Sequence, residues 1–356
     1  MSRLARRLGT AVLALVVALM TAWAALAVYW SDIPGQTQRT ALATAMVLAT
    51  ALAFALGRRR RRTLLVYYLL AFAGFVVWWS AIAPTNDRDW QPDVAVLPYA
   101  EVSGDRVTVH NVRNFDYRSE TDFTPRYFDK TYALDRLDSV DLIAVYWMGE
   151  AIAHVMLSFG FGGQDYLCFS IETRKARGQD YSSIRGFFKQ YELIYVVADE
   201  RDLIRLRTEY RRPPEEVYLY RIRLTPDGAR KLFLEYVKAI NGLRRTPEFY
   251  NTLTTNCTTN IVRHIQAFGG AARYNWKILF SGYAPLYAYE QGRLDDSLPF
   301  AALKARSQVN RAVNQAGDAP DFSRRIRAGL PGMAQGPQAG QGTSPAQPGP
   351  GARGRE

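Results

Sequence analysis

Residues 41–83 read ALATAMVLATALAFALG, then RRRRR, then TLLVYYLLAFAGFVVWWSAIA: two apolar runs, 41–57 and 63–83, separated by five consecutive arginines. The first run is about the minimum length for crossing a bilayer and the second is long enough. A further apolar run, residues 8–30, precedes them and closes on Tyr29-Trp30, an aromatic pair suited to the membrane–water boundary. Arg3, Arg6 and Arg7 stand before that run, and the block 58–62 stands between the second and third. The positive-inside rule holds both groups on the cytoplasmic side. The 31–40 loop carries one Arg and one Asp and is free to cross. Residues 1–83 are therefore expected to form three transmembrane helices, placing everything after Pro84 outside the cytoplasm. A cleavable signal peptide is the other reading of the first run, and it would leave two spans with the same exported domain. The arginine block, set between two spans, reads as a topology determinant and a contact for anionic headgroups rather than a nucleic-acid site.

The formal charge of +12 divides in the same sense. Residues 1–62 carry +8 and residues 323–356 carry +4, whereas 63–322 hold 31 basic and 31 acidic residues. A nucleic-acid reader needs a basic footprint on its folded domain, and this one has none. Two cysteines, Cys168 and Cys257, exclude a disulfide-rich scaffold but leave room for one bridge.

From Val94 onward, short β-branched and aromatic runs alternate with helical stretches, the pattern of an α+β domain over 84–325. Strands are expected at 94–97, 106–109, 140–146, 153–159, 166–171, 192–197 and 217–224, and helices at 199–210, 226–243 and 257–268. The helix at 226 has a defined start, with Thr225 as cap, Pro226 in first position and Asp227 in the first turn. Residues 326–356 are rich in Gly, Pro, Gln and Ala, the composition of a disordered tail.

The chemistry concentrates in YNTLTTNCTTN, residues 250–260. Thr and Asn favour helix caps, and Ile261, Val262, Ile265 and Phe268 follow at helical spacing, so Cys257 falls in the first turn of a helix. Free N–H groups and the helix dipole there lower a thiol's pKa and suit a developing oxyanion. The plainer alternative is a small buried cysteine. A nucleophilic thiol needs a base, and there are three histidines. His110 closes a short strand and reads as a surface residue; His264 lies two turns along the helix of Cys257, about 10 Å away by rise. His154, in AIAHVMLSF (151–159), is either a satisfied core histidine or the base. Glu150 and His154 are four apart, but no third metal ligand follows at a recognisable spacing, so no metal or cofactor is expected. A Cys168–Cys257 disulfide would remove the nucleophile and is the main structural competitor.

Taken together, the segments 153–159 (AHVMLSF), 168–174 (CFSIETR), 191–200 (YELIYVVADE) and 250–260 resemble, in this order, the Lnb N-terminal periplasmic domain family. The resemblance covers residues from about 85 to 325. The order His then Cys is that of permuted NlpC/papain-like domains, so the resemblance implies such a fold behind three transmembrane helices. The family takes its name from a bacterial lipoprotein N-acyltransferase working through a Cys–His pair. Carried over by motif, that pair is Cys257 and His154. The placement of the spans before the domain departs from the namesake, which weakens inference about the substrate more than about thiol chemistry.

The expected function is a thiol-dependent acyltransferase or hydrolase anchored in the bacterial inner membrane, with its N-terminus cytoplasmic and its domain periplasmic. The implied partners are phospholipid and a lipoprotein amine, with no nucleic acid. If 166–173 pairs with the His154 strand, Ser170 and Glu172 share one face; Glu172 is the expected third catalytic group and Ser170 a further orienting or oxyanion candidate, while an ion pair with Arg174 is the alternative for Glu172. Asn256 is either an oxyanion donor or simply a cap. A cell-wall peptidase or amidase using the same pair, and a non-catalytic envelope binding module, are the competing functions.

Overall fold

A computed structural model of the protein describes residues 3–333. Three long helices come first: α1 (Arg3–Tyr29), α2 (Gln36–Leu56) and α3 (Arg61–Ala81). All three are long and apolar enough to cross a membrane. Val17, Ala24, Ala27 and Val28 bury one side of α1, and polar and aromatic contacts join it to α3: Thr21 Oγ1 lies 2.9 Å from the Tyr68 hydroxyl, and Trp23 packs against Phe72, Phe75 and Trp79. No residue of α2 or α3 is buried. Their apolar side chains are thus left for lipid, which lets a helix satisfy its backbone internally and face hydrocarbon.

The rest is a mixed α+β domain. Its strands are β1 (Tyr99–Ser103), β2 (Arg106–Arg113), β3 (Asp116–Tyr117), β4 (Phe123–Thr124), β5 (Tyr127–Ala133), β6 (Leu137–Tyr146), β7 (Ala153–Phe161), β8 (Asp165–Arg174), β9 (Glu192–Ala198) and β10 (Glu216–Arg221). Helices α4 (Glu200–Arg205), α5 (Pro226–Arg245), α6 (Cys257–Ala267), α7 (Trp276–Leu279), α8 (Ala284–Glu290), α9 (Phe300–Arg306), α10 (Asn310–Ala316) and α11 (Phe322–Arg325) complete it. Eight strands form one sheet in the order β1-β2-β9-β8-β7-β6-β10, with β5 also on β2; only the β2–β9 contact is parallel. β3 and β4 form a separate ribbon.

Each face of the sheet carries its own core. On one, Val155, Leu157, Phe159, Leu167 and Phe169 pack under α5 and α6. On the other, Ile143, Met156, Cys168 and Val196 pack under α4 and α10. Each fully buried Leu, Ile or Phe contributes roughly 1.5–3 kcal/mol relative to exposure. α5 forms as its sequence dictates: Thr225 Oγ1 accepts from Gly228 N, Pro226 opens the helix, and Ala229, Leu232, Phe233, Tyr236, Val237 and Ile240 bury one stripe.

The domain is docked on the bundle. Arg88 pairs with Asp32 of the α1–α2 loop (3.0 Å) and with Glu192 (3.2 Å). Asn86, just beyond α3, donates to the Leu243 carbonyl near the end of α5 and accepts from Arg174 Nη1. Glu192 opens β9 and Arg174 closes β8, so these strand ends, with the start of β7, form the bundle-facing edge of the sheet.

Two expectations are corrected. Residues 94–97 are not a strand: Pro92–Val94 form a 3₁₀ turn, and the carbonyls of Val94 and Ala95 accept from the Arg174 guanidinium instead of entering a ladder. The tail does not begin at 326, because Ile326 and Arg327 are buried and Arg327 pairs with Asp141 and Glu200. The remainder of the expected tail, 334–356, lies outside the described residues.

Candidate active site

The start of β7 is fixed by a close approach. Gly282 donates to the Ala151 carbonyl (3.0 Å), its own carbonyl accepts from the Tyr146 hydroxyl (2.6 Å), and Ser281 Oγ accepts from Ala153 N (3.1 Å). A Cβ on Gly282 would fall 2.0 Å from the Glu150 carbonyl oxygen, so only glycine fits. Residues 153–155 thereby pair with β6 alone, since the β7–β8 register begins at Met156 and Ser170. Where that ladder gives out, the first turn of α6 packs against β7.

Asn256 caps α6. Its Oδ1 accepts from Thr259 N (2.9 Å) and from the hydroxyls of Thr258 and Thr259, and its Nδ2 donates to the Thr252 carbonyl (2.7 Å). The carbonyl of the amide is engaged in holding the turn, and one of its two Nδ2 hydrogens is bonded. The N–H groups of Val155, Thr258 and Cys257 itself act on the sulfur and favour its thiolate. Burial nevertheless pushes the thiol above its usual range; the three donors pull it back only in part, and the Glu172 charge adds to the push. The depressed thiol pKa expected of a helix N-terminus is therefore not found, because desolvation outweighs the N–H groups that favour the thiolate.

His154 projects from the opposite side of β7 to Val155, beside Ser170 and Glu172 of β8. Its Nε2 lies 2.6 Å from Ser170 Oγ, and Ser170 donates to Glu172 Oε1 (2.6 Å). Since Ser170 gives its proton to the carboxylate, it accepts from Nε2–H, and Nδ1 is left as the basic nitrogen. Glu172 is held in turn by Arg207 Nη2 at 2.9 Å. Burial raises the Glu172 carboxyl, but Arg207, His154 and Arg113 outweigh it and keep the group ionised well below the usual range. Burial pulls the imidazole down to about 3, with Arg207 adding to the shift and Glu172 opposing it. The resting pair is a neutral thiol and a neutral imidazole.

Cys257, His154, Glu172, Asn256, Arg207 and Arg211 line one cavity of about 510 Å³. No hydrogen bond joins Cys257 to His154 among the described residues. A second cavity, about 280 Å³ and lined by Leu157, Leu232, Ile261 and Ala284, lies beyond Val155 and Thr258, which belong to its wall. Ser170, one of the orienting candidates, links His154 to Glu172, and the direct His154 Nε2–Glu172 distance is 3.7 Å. Arg174 is not the partner of Glu172, since its guanidinium is taken by Asn86 and the 94–95 carbonyls.

The other candidates are accounted for elsewhere. Both cysteines are free thiols; Cys168 lies in the core under α4 and Cys257 in the core under α5, with the sheet between them. His110 pairs with Asp129 at 2.7 Å on the surface side of β2. His264 is buried against the Tyr195 hydroxyl (2.7 Å), and burial pulls it down to about 4. Glu150 is exposed and faces Lys304, and no metal-holding cluster occurs among the described residues.

Sequence reasoning missed Arg207. It sits in a π-helical turn, Leu206–Tyr210, that continues α4, and the Arg211 N–H bonds the Leu206 carbonyl. Such turns gather at functional sites because they rotate one side chain out of helical phase. The pair Arg207/Arg211 at helical spacing was the available signal.

A sheet domain carried on membrane-length helices, with a thiol, an imidazole and a half-buried carboxylate gathered at the edge facing those helices, defines a membrane protein with a periplasmic-type domain. Residues 123–286 match the family model of the Lnb N-terminal periplasmic domain, so this part of the chain is a domain of that family. The matched segment contains all of the site residues described above. No curated protein and no solved structure matches the chain.

Proposed function

We propose that the protein is a thiol-dependent acyltransferase or hydrolase acting on phospholipid esters at the periplasmic face of the inner membrane, with its N-terminus cytoplasmic. The supporting observation is the meeting in one cavity of a sulfur at the capped first turn of α6 and an imidazole tied through Ser170 to an ionised Glu172. The order of strand-borne His and helix-borne Cys fits a permuted NlpC/papain-like domain.

Substrate binding brings the sulfur and Nδ1 together. The thiol proton passes to Nδ1 as sulfur attacks the ester carbonyl, and the oxyanion faces the Val155 and Thr258 N–H groups. Glu172, acting through Ser170, stabilises the imidazolium. Collapse breaks the C–O bond, and the imidazolium returns its proton to the leaving lyso-lipid alkoxide. An amine, such as a lipoprotein N-terminus, or water then gives a proton to Nδ1 and attacks the thioester. The C–S bond breaks and the thiolate is reprotonated. A cell-wall amide would serve the same pair. The apolar cavity behind Val155 and Thr258 favours an acyl chain over a peptide.

The test is labelling of membranes containing the protein with a chloroacetamide bearing a hexadecyl tail. Labelling should vanish in Cys257→Ala, fall sharply in His154→Gln and persist in Cys168→Ala. Equal labelling of wild type and His154→Gln would overturn the proposal and leave a binding module.

A further inference from the structure

The segment joining β8 to β9 is fastened to the helical bundle at three points. The Lys189 ammonium donates to the carbonyls of Trp79 (2.7 Å) and Ile82 (3.0 Å), at and just beyond the last turn of α3. Lys189 holds a left-handed backbone (φ 53°), unfavourable for a residue with a Cβ, to make that reach. Phe188 packs edge-on to Trp79 with ring centroids 6.4 Å apart, and the Arg185 guanidinium sits 4.9 Å over Trp30. Trp30 and Trp79 mark the ends of α1 and α3, where such rings settle at headgroup level.

The same segment is stapled to the turn that precedes Cys257. Thr252 Oγ1 donates to the Ser183 carbonyl (2.7 Å), and Thr252 N donates to the Gly186 carbonyl (3.4 Å). From these paired turns, Tyr181, Ile184, Phe187 and Leu253 project with 50, 57, 38 and 41% of their surfaces exposed. Exposed apolar side chains clustered in loops mark an interaction surface. Here the cluster continues directly from the aromatic ends of the spans. Tyr181, Ser183 and Thr252 also line the cavity that holds Cys257 and His154.

We propose that the paired turns 181–187 and 251–254 dip Ile184, Phe187 and Leu253 into the leaflet at which α1 and α3 end, forming a second membrane contact. The occupant of this surface is lipid, because the bilayer that surrounds the spans begins where the patch does. The contact brings the mouth of the Cys257 cavity to the level of lipid ester groups. That consequence, unlike the contact itself, rests on the acyl-transfer reading. Because the contact is apolar, it is insensitive to salt.

The experiment uses the full chain in zwitterionic lipid nanodiscs, in a Cys257→Ala background; Cys168 is fully buried and stays unlabelled. Nitroxides are placed at Ile184→Cys and Leu253→Cys. The reference is Asp227→Cys, at the far end of α5, which spans 20 residues and so about 30 Å. Sites 184 and 253 should collide more with oxygen than with a water-soluble nickel chelate, and site 227 the reverse. All three behaving alike would overturn the proposal, as would a contact that dissociates in molar salt. With both cysteines present, Ile184→Asp and Phe187→Asp should each lower labelling by the hexadecyl chloroacetamide about tenfold while leaving iodoacetamide alkylation of Cys257 unchanged. Membrane depth without any reactivity at Cys257 would keep the contact and sink the acyl-transfer reading.

Discussion

The proton on Cys257 is governed by a competition. Burial and the Glu172 charge favour the thiol, and the N–H groups of Val155, Thr258 and Cys257 favour the thiolate; burial prevails. Across the cavity, burial and Arg207 keep the His154 imidazole neutral, down to about 3. A papain-like ion pair, with thiol depressed and imidazole raised, would give alkylation rates flat from about pH 4 to 8. The geometry here requires another profile. Iodoacetamide alkylation of Cys257 should rise with pH, close to tenfold per unit, throughout about pH 5 to 8. A plateau in that window would show that the pair is already charge-separated. The sequence carried part of this site. Asn and Thr around Cys257 announce a capped first turn, and period-two alternation puts Ser170 and Glu172 beside His154. The net pKa shift was illegible because it depends on burial from β7, which lies about a hundred residues earlier. Arg207 was passed over because its spacing to Arg211 is that of any solvated helix face, and its partner Glu172 lies on a strand 35 residues earlier.

At the scale of elements, β7 separates two unlike spaces. Polar groups meet at His154 on one side; on the other, α5, α6 and α8 leave an apolar cavity of about 280 Å³ against Val155 and Leu157. Each buried methylene stabilises a bound chain by about 0.8 kcal/mol, roughly fourfold in affinity. Wild-type protein should therefore react faster with a hexadecyl than with an octyl chloroacetamide. Ala288→Phe, which fills the cavity from α8, should abolish that preference and spare the octyl reagent. An unchanged chain-length profile would place the acyl chain elsewhere. The strands that build this site were readable because both faces are covered: β6 to β9 are near-continuous apolar runs. β1 was not, since Glu101, Val102 and Ser103 are all exposed on an edge strand and show no alternation. The helices after residue 276 were missed for a related reason. Each has seven residues or fewer, too short for a 3.6-residue period to repeat.

Across the whole molecule, the chain closes on itself far from where it begins. Arg327 donates to Asp141 of β6 (2.8 Å) and, through both terminal nitrogens, to Glu200 of α4 (2.8 and 2.5 Å), while its guanidinium lies 3.7 Å over the Tyr166 ring. Ser158 of β7 donates to the same Glu200, and Arg221 of β10 to Asp141. One residue beyond α11 thus ties together the strands that carry the site, and its two carboxylate partners are wholly buried. Composition could not reveal this, because Arg327 stands among the residues that open the Gly- and Pro-rich stretch. Removing one partner of a buried charge cluster leaves the others uncompensated, at a cost of about 3–5 kcal/mol. Arg327→Ala should accordingly lower the unfolding temperature of the domain by about 10 °C, and truncation after Arg325 should do at least as much. Arg325→Ala serves as the reference, since its exposed pair with Asp321 contributes little. Arg327→Ala melting with Arg325→Ala, both near wild type, would mean that the domain is complete without the segment from 326 to 333.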